Sequence, residues 1–407
     1  MSFDLALSGI NAANTDLNVT SNNLANVDTT GFKESRAEFA DLFAQTQEGV
    51  SKTAVGNGVQ TAAVAQQFGQ GNITSTGNNL DLALSGSGFF IVSNNGTLNY
   101  TRDGAFQVDQ NGYLVTASGQ QVQGYAPLAN GGFNTGGLGP LQLTTAESSP
   151  QATTTAGVSL NLPPSATPPA NSPLNPADPT TYTDTTSMTV YDSLGAAHTA
   201  QLYFMKGTTA NTWTSQLYID GNAVGGAQTL TFSNTGTLAA PANGQVNFGS
   251  YTPATGAAAM SVTFNFSNST QSGNAFGVNS VSPNGYTSGS LTGINISSTG
   301  VVQANFTNGQ STNLGQIALA NFANPQGLQQ EGNNDWQQSF ESGVPVHGVA
   351  GGSGFGNIQS GALESSNVDI TTQLVQMITA ERDFQANAQM ISATDQVTQS
   401  IINIPNG

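Results

Sequence analysis

A seven-residue apolar repeat at each end of the chain, with a long middle that lacks it, constrains the fold more than any other feature. The N-terminal repeat has an apolar residue at every seventh position, at Phe3, Ile10, Leu17 and Leu24. A second row follows three positions later, at Ala6, Ala13, Thr20 and Val27. This spacing is typical of a helix whose a and d positions form one seam. We predict a helix within the first 27 residues, with Asn26 and Gly31 at its C-terminal end.

The C-terminal repeat begins after Asp369, whose side chain can cap a helix, and it stops before Pro405. Its apolar positions are Ile370, Leu374, Met377, Phe384, Ala388, Ile391 and Ile402. Two helices with such narrow seams can pair but cannot close a core, so we expect apolar surface to remain for neighbouring molecules, which makes these residues a predicted self-assembly seam. The alternative is a helical hairpin packed on the chain's own β domain, and the seams alone do not choose between the two.

Between the ends the apolar pattern changes to period two and is interrupted by turn residues, which predicts antiparallel β-structure. The segment 88–92 (GFFIV) indicates a buried strand, and three turn pairs divide Tyr100 to Tyr125 into a meander. Further strands are predicted at 188–192, 198–204, 213–219 and 315–322.

A proline-rich stretch interrupts this β pattern, with 7 of the 16 prolines between Pro163 and Pro179. We interpret it as a linker that enters an inserted domain. The predicted fold class is mainly β with terminal α-helices, in which the helices form a coiled-coil-like inner domain and two antiparallel β domains are inserted successively. The predicted domains are 1–70 with 360–407 (helical), 71–145 with 285–359 (middle β) and 146–284 (outer β).

The charge composition excludes partners that are held by positive charge. Charged residues make up 7% of the chain, and 23 acidic residues face only 6 basic ones. Nucleic acids and anionic membranes are bound by clustered lysines and arginines, which this chain lacks. We therefore expect a surface that is polar but largely uncharged, with no nucleic-acid partner.

No pattern in the sequence predicts a catalytic, cofactor-binding or metal site. His198 and His347 fall in different predicted domains, and the chain has no cysteine that could complete a zinc site. The glycine-rich segment 348–356 lacks the spacing of a nucleotide-binding loop. Asp109 to Gly112 predicts a hairpin turn and not a calcium loop. We predict a protein that is not an enzyme and has no small-molecule substrate.

The terminal segments resemble those of bacterial flagellar rod and hook proteins, which form one family of axial proteins. The N-terminal resemblance covers 8–26 (SGINAANTDLNVTSNNLAN) and 30–33 (TGFK), and the C-terminal one covers 374–389 (LVQMITAERDFQANAQ). Three stretches are similar to the β domain of the same proteins, at 77–84, 88–90 and 101–106. Within this family the middle segments 188–195, 202–204 and 316–324 are similar to hook proteins.

The resemblance implies a structural subunit of the flagellar hook, which self-assembles into a curved helical tube and acts as a flexible universal joint between rod and filament. The helices would form the inner tube and the β domains its outer shells. Two alternatives remain: a distal rod-type axial protein, and a secreted β-rich adhesin that would use aromatic residues such as Trp213 and Trp336.

The resemblance also implies partners and a location. The implied partners are further copies of the chain, the flagellar rod, hook cap and hook–filament junction proteins, and the flagellar type III export apparatus. The implied location is extracellular, at the hook near the flagellar basal body. The first residues lack the basic and apolar regions of a signal peptide, so we expect export without a cleaved signal.

Overall fold

The computed structural model describes residues 2–42, 56–143 and 147–402, without the side chains of Ser2, Ile401 and Ile402. It shows a mainly β chain with a long helix at each end, which confirms the predicted fold class. Helix α1 spans Ser2–Ala25 and helix α2 spans Ile370–Ile402. Among the described residues, no helix combines the length and apolar character that a membrane span needs.

The strands lie between the two helices, together with short 3-10 helices at Pro179–Thr181 and Pro325–Gly327. The first group comprises β1 Ser35–Asp41, β2 Val59–Gln66, β3 Ile73–Ser75, β4 Leu82–Ser85, β5 Phe89–Asn94, β6 Thr97–Thr101, β7 Phe106–Val108, β8 Leu114–Thr116, β9 Gln121–Tyr125 and β10 Gly139–Pro140. The second comprises β11 Thr155–Leu162, β12 Asp184–Tyr191, β13 Ala197–Lys206, β14 Thr212–Ile219, β15 Asn222–Phe232, β16 Leu238–Ala240, β17 Gln245–Tyr251, β18 Met260–Asn265, β19 Thr270–Gln271 and β20 Gly277–Pro283. The third comprises β21 Leu291–Ile296, β22 Val301–Phe306, β23 Ser311–Asn321, β24 Gln329–Gly332, β25 Asp335–Gln337, β26 Val346–Val349, β27 Asn357–Ser360 and β28 Ala362–Glu364.

The chain divides into two compact units. Unit 1 contains Met1–Thr145, Gly293–Ala304 and Ser311–Gly407, and therefore both helices. Unit 2 contains Ala146–Thr292 and Asn305–Gln310. The predicted boundaries of three domains, including the separation of the terminal helices from a middle β domain, remain a prediction.

The core of unit 1 is built around a sheet whose central strands are buried on both faces. Its main strands run in the order β21, β22, β23, β9, β5, β6, β25 and β24. In β5, Phe90 and Val92 join one apolar cluster, and Phe89 and Ile91 join another. Successive side chains of a strand point to opposite faces, so a strand covered on both sides needs an unbroken apolar run. This confirms the buried strand predicted from the segment 88–92.

Unit 2 is a sandwich of two sheets around a single apolar core. One sheet has the order β12-β13-β14-β15-β16, and the other has the order β17-β18-β11-β19, with β20 beside β11. Alternate residues of each sheet fill the core, as Leu202 and Phe204 do from β13 and Val262 and Phe264 do from β18. The strands predicted at 198–204 and 213–219 are confirmed.

Both tryptophans are buried in these cores. Trp213 in unit 2 has no exposed surface, and Trp336 in unit 1 is 1% exposed. Neither ring can therefore stack on a sugar at the surface. The burial of both rings removes the argument for a secreted adhesin that rested on these aromatic residues.

The proline-rich stretch does not stand at the entrance of the inserted unit, which corrects the expectation of a linker there. Strand β11 comes before Pro163 and already pairs with β18, β19 and β20 in the second sheet of unit 2. The stretch from 163 to 178 has no strand, as predicted, and Asp178 then caps the 3-10 helix at Pro179–Thr181. It is therefore a connection within the sandwich, from one sheet to the other.

Candidate self-assembly surface

Helices α1 and α2 pack against each other as an antiparallel pair. Asn23 near the end of α1 donates from Nδ2 to Oε1 of Gln373 near the start of α2, over 3.0 Å. At the other end, a Cβ atom on Gly9 would lie 2.6 Å from the side-chain oxygen of Asn387, so these two residues lie directly opposite each other. These two points fix both the direction and the register of the pair.

Small and amide side chains occupy the covered side of the two helices. In α1 the buried residues are Ala6, Ala13, Thr20 and Asn23, and in α2 they are Gln373 and Ala380. Asn23 and Gln373 also bind the segment after α1: Asn23 pairs with the backbone of Ser35, and Gln373 donates to the carboxylate of Glu34. The helix pair is therefore close and partly polar, and it buries few large apolar groups.

The large apolar side chains of both helices lie mostly outside this covered side. Three in α1 and seven in α2 are exposed, namely Phe3, Leu5, Leu7, Ile370, Leu374, Val375, Ile378, Phe384, Met390 and Val397. Residues four apart lie on one side of a helix, so Ile370, Leu374 and Ile378 form a stripe. Val375 is the most exposed of the set at 60%.

The predicted seam residues are divided between these two regions. Phe3, Ile370, Leu374 and Phe384 are exposed, while the remaining seam residues with described side chains are half-buried: Ile10, Leu17, Leu24, Val27, Met377, Ala388 and Ile391. The side chain of Ile402 lies outside the described part of the chain. The fully buried row is the one at Ala6, Ala13 and Thr20, so within one molecule the covered side of α1 is centred on the second row of the repeat, three positions after the first. The role of the seam in assembly remains a prediction.

Two carboxylates oppose each other across the helix pair. Burial raises the pKa of Asp16 in α1, and the negative charge of Asp383 in α2 raises it further. The free helix pair therefore carries an unfavourable charge contact. The predicted cap at the start of α2 is present: Asp369 accepts the backbone N–H of Thr372 at 2.7 Å, and this hydrogen bond is the main cause that lowers the pKa of Asp369.

A buried ionic cluster joins the two helical ends to the sheet of unit 1. The carboxylate of Glu364 at the end of β28 binds the Lys33 ammonium at 2.6 Å and the Arg102 guanidinium at 3.1 Å. The side chains of Lys33 and Glu364 have no exposed surface, and that of Arg102 is 6% exposed. Lys33 follows α1, Arg102 follows β6, and Glu364 precedes α2. One carboxylate thus connects three segments that are distant in sequence.

Backbone groups add further hydrogen bonds to this cluster. Lys33 also donates to the carbonyl of Gly69 at 2.8 Å, Arg102 donates to that of Gly86 at 2.8 Å, and Glu364 accepts the N–H of Gly71 at 2.9 Å. Burial lowers the pKa of both Lys33 and Arg102, and the charge of Glu364 opposes this in each case. Removing the carboxylate would leave two buried cations without a counter-charge.

Gly31 allows the N-terminal segment to reach the cluster. Its φ of +68° lies in the left-handed region, and a Cβ there would come within 2.5 Å of the backbone nitrogen of Asp103. Its N–H donates to the carbonyl of Glu364 at 2.8 Å. The segment 30–33 (TGFK) therefore needs its glycine to approach the backbone at Asp103 and its lysine to pair with Glu364.

Sequence reasoning did not find this cluster, although two signals pointed to it. Lys33 and Arg102 are two of only six basic residues, and each lies within a segment that resembles the axial proteins. Nothing in the sequence marks Glu364 as their partner. The described residues contain no group of three His, Cys, Asp or Glu side chains that could hold a metal ion.

Replacing Glu364 with glutamine should strongly destabilise unit 1. Breaking a buried ion pair by removing one partner costs about 3–5 kcal/mol, because the other charge stays buried. Trp336 lies in the unit 1 core, so its fluorescence in a Trp213→Phe background reports denaturant unfolding of that unit alone. We expect Glu364→Gln to lower the free energy of unfolding by this amount.

The surface pair of Arg36 and Glu38 supplies the matched control. Their side chains are 60% and 44% exposed at a separation of 2.9 Å. Exposed pairs contribute at most about 1 kcal/mol, so Glu38→Gln should leave the unfolding midpoint almost unchanged. Equal midpoints for Glu364→Gln and Glu38→Gln would show that the buried cluster does not hold unit 1 together.

Four family models match segments of the chain. They are a flagella basal body rod protein model at 3–33, a flagellar hook protein FlgE/F/G D1 domain model at 83–167, a flagellar basal body protein FlaE D2 domain model at 159–286, and a flagellar basal body rod FlgEFG protein C-terminal model at 359–404. The two rod models cover the two terminal helices. The D2 model falls on the inserted unit 2.

Full-length relatives show the same similarity. The chain is 39% identical to the flagellar hook protein FlgE of Salmonella typhimurium over 413 residues, covering 99% of this chain and 100% of that protein. It is also 39% identical to the flagellar hook protein FlgE of Escherichia coli over 419 residues, with the same coverage. A crystal structure of Helicobacter pylori flagellar hook protein FlgE2 has a similar fold, with a TM-score of 0.53 and 16% identity, covering 72% of this chain and 100% of that one.

Proposed function

The chain belongs to the bacterial flagellar hook protein family, and we propose that the exposed apolar side chains of α1 and α2 join one copy to the next in the hook. The protein is a structural subunit of the flagellar hook, located in the hook and basal-body region of the flagellum, and it is not an enzyme. It assembles with copies of itself into a polymer. The observation that carries the proposal is the exposure of large apolar side chains on both terminal helices.

Exposed apolar surface of this kind is unfavourable for an isolated chain. The stripe of Ile370, Leu374 and Ile378 lies next to Val375, so several large side chains of α2 are exposed together. Contiguous apolar patches on a soluble protein usually mark a contact with another molecule. A contact between different faces of identical copies repeats indefinitely when its rotation does not close, which produces a helical polymer.

The unequal lengths of the helices support the same proposal. Asn23 lies opposite Gln373 and Gly9 lies opposite Asn387, so the register places the first described residue of α1 near Thr394. The segment 395–402 of α2 extends past this point, by about 12 Å at the helical rise. Val397 in this extension is 59% exposed. A neighbouring copy can cover the part of α2 that α1 does not reach.

Replacing Val375 and Ile378 together with glutamine should prevent polymerisation and leave the monomer folded. Glutamine favours helices, so α2 should persist, while the apolar contact with a neighbour is lost. Losing about 1.4 kcal/mol of binding free energy weakens a contact about tenfold. Burying two apolar side chains of this size contributes more than that to the binding free energy. We expect the concentration needed for tubes, measured by electron microscopy and light scattering, to rise by at least about tenfold.

The control pair places the same substitution on exposed valines in two β-strands. Val108 is 37% exposed in unit 1, and Val278 is 39% exposed in unit 2. The Val108→Gln, Val278→Gln protein should form tubes at the concentration of the unmodified protein. If the helix variant does so too, the exposed apolar surface of α2 is not the contact.

We also propose that unit 2 forms the weak, sliding outer contacts of a bending tube. The surface of unit 2 is rich in threonine, serine, asparagine and glycine, and its one lysine or arginine, Lys206, is 8% exposed. Neighbouring copies of unit 2 therefore cannot hold each other by lysine or arginine salt bridges. Contacts between uncharged polar surfaces are individually weak, which would let outer units shift as the tube bends and transmits torque.

New charges on the outer faces of unit 2 should change the shape of the tube. Lysine would be introduced singly at exposed strand positions, and glutamine or asparagine at the same positions would serve as the uncharged control. The positions are Ser187, Thr229, Gln245 and Ser261. We expect at least one lysine variant to alter hook curvature or supercoil in electron micrographs. An unchanged shape in all four would contradict the sliding role of unit 2.

The other partners that we propose are the flagellar rod, hook cap and hook–filament junction proteins and the type III export apparatus. The proposal is supported by the rod-protein models that match both ends of this chain, since similar helices can continue one helical lattice from rod to hook. Cross-linking in isolated hook–basal bodies would identify these neighbours, and products with hook protein alone would count against them.

We also propose that the subunit is exported without a cleaved signal. Assembled subunits should then keep their N-terminal residues, which mass spectrometry of the purified hook would measure.

A further inference from the structure

His198 in unit 2 lies between two carboxylates. Its Nδ1 is 2.5 Å from Oδ2 of Asp220, and its Nε2 is 3.2 Å from Oδ2 of Asp192. The side chain of His198 is 6% exposed, that of Asp192 has no exposed surface and that of Asp220 is 39% exposed. A neutral imidazole has one N–H and can donate to only one of these carboxylates. Only the protonated ring donates to both.

The neighbours of His198 keep the two carboxylates in place. Asp192 accepts the backbone N–H groups of Leu194 and Ala196 at 2.9 Å each and the hydroxyl of Thr255 at 2.8 Å. These bonds hold the turn after β12 around its carboxylate.

Asp220 and Tyr251 complete the surroundings of the ring. Asp220 accepts the N–H of Thr199 at 2.9 Å and the Tyr251 hydroxyl at 3.2 Å, and the Tyr251 ring meets His198 edge to face at 5.8 Å. The titratable groups that face His198 are thus Asp192, Asp220 and Tyr251. The nearest lysine along its own strand, Lys206, packs over Trp213 instead.

The cluster connects both sheets of unit 2. Asp192 follows β12, His198 lies in β13 and Asp220 follows β14, all in the first sheet. Tyr251 ends β17 of the second sheet, and Thr255 lies in the loop that follows it. A bridge through His198 therefore acts on the two turns of one sheet and the 251–257 segment of the other.

We propose that His198 is a pH-operated clip within unit 2. When protonated, it holds the turns at Asp192 and Asp220 together and through them the 251–257 segment. When it loses a proton, one ring nitrogen presents a lone pair to a carboxylate, and the repulsion releases that segment from the turns. The clip is a property of unit 2 itself and does not depend on the proposed contacts between copies.

The charges of the cluster place this change above the usual pH range of a histidine. Burial alone would lower the pKa of His198, but its hydrogen bonds to Asp220 and Asp192 and their charges outweigh it and raise the pKa. Burial would raise the pKa of Asp192, yet hydrogen bonds from Thr255, His198 and the backbone bring it to about 2. A histidine whose folded pKa is raised stabilises the fold fully below its unfolded pKa of about 6.5 and loses this contribution as pH rises through the folded value.

The chain has only two histidines, which makes the titration unambiguous. Burial lowers the pKa of His347 in unit 1, so the two imidazoles should titrate on opposite sides of about pH 6.5. The experiment uses the full chain with 13C-labelled histidine, kept monomeric and checked by light scattering. NMR gives both midpoints, and His347→Gln assigns them.

Hydrogen exchange measured on the same protein reports the release. Exchange in 251–257, corrected for the intrinsic effect of pH, should accelerate as pH rises through the His198 midpoint. His198→Gln should abolish this dependence and His347→Gln should preserve it. Asp220→Asn should weaken proton binding at His198 by about tenfold or more, since a close charge shifts a pKa by about one unit or more.

Two outcomes would overturn the clip. In the unmodified chain, a His198 midpoint at or below about pH 6.5 would mean that the two carboxylates do not hold the proton. A midpoint above that value with no change in exchange at 251–257 would mean that the proton does not control the segment. Neither result depends on whether a variant folds.

Discussion

The structure of unit 1 depends on one buried carboxylate that is shared by two cations. Glu364 draws Lys33 and Arg102 out of water, and each cation gains a backbone carbonyl as well. Desolvating charges is costly, and an apolar cluster of the same size would often be as stable. The ionic cluster differs from an apolar one because its charged hydrogen bonds connect two specific cations to one carboxylate. The residues after α1 and before α2 are thereby fixed in one register on the sheet.

This anchor accounts for the unusual helix pair. The two helices meet through Ala6, Ala13, Ala380 and amides, and Asp16 and Asp383 even oppose their association. Such a pair gains little from apolar burial and has to be held in position from its base, where Asn23, Gln373 and Glu34 connect it to the segment beside Lys33. The large apolar side chains are left outside. Their exposure is the basis of the assembly contact that we propose.

Unit 2 is built on a different principle, since its stability comes from one apolar core between two sheets. Its surface has few charges, and the charged groups that it does have are partly turned inward, as Asp192 and His198 are. Unit 2 therefore offers neighbours no exposed lysine or arginine for ion pairs, and the His198 cluster that we propose as pH-dependent lies within the unit. A change of pH would therefore act first on the turns and the 251–257 segment and not on contacts between copies.

Local pattern was sufficient to predict much of this protein. The terminal heptads predicted α1 and α2, and the Asp369 cap is present. An unbroken apolar run predicted β5, period-two alternation and turn residues predicted β13 and β14, and the terminal segments indicated the family. These features depend on residues that are close in sequence, where spacing and side-chain type decide the local structure.

Only the tertiary structure decided which groups meet. Lys33, Arg102 and Glu364 are separated by tens to hundreds of positions, and no spacing rule connects them. The heptads showed that each helix has an apolar side but not which molecule covers it. Within one molecule the buried residues are the small ones, and the part of the large ones in assembly remains a prediction. No spacing in the sequence connects His198 to its two carboxylates, which come from turns that only strand pairing brings together. Sequence determined each element and its faces, and packing determined the partners, because contacts between distant segments depend on the whole fold.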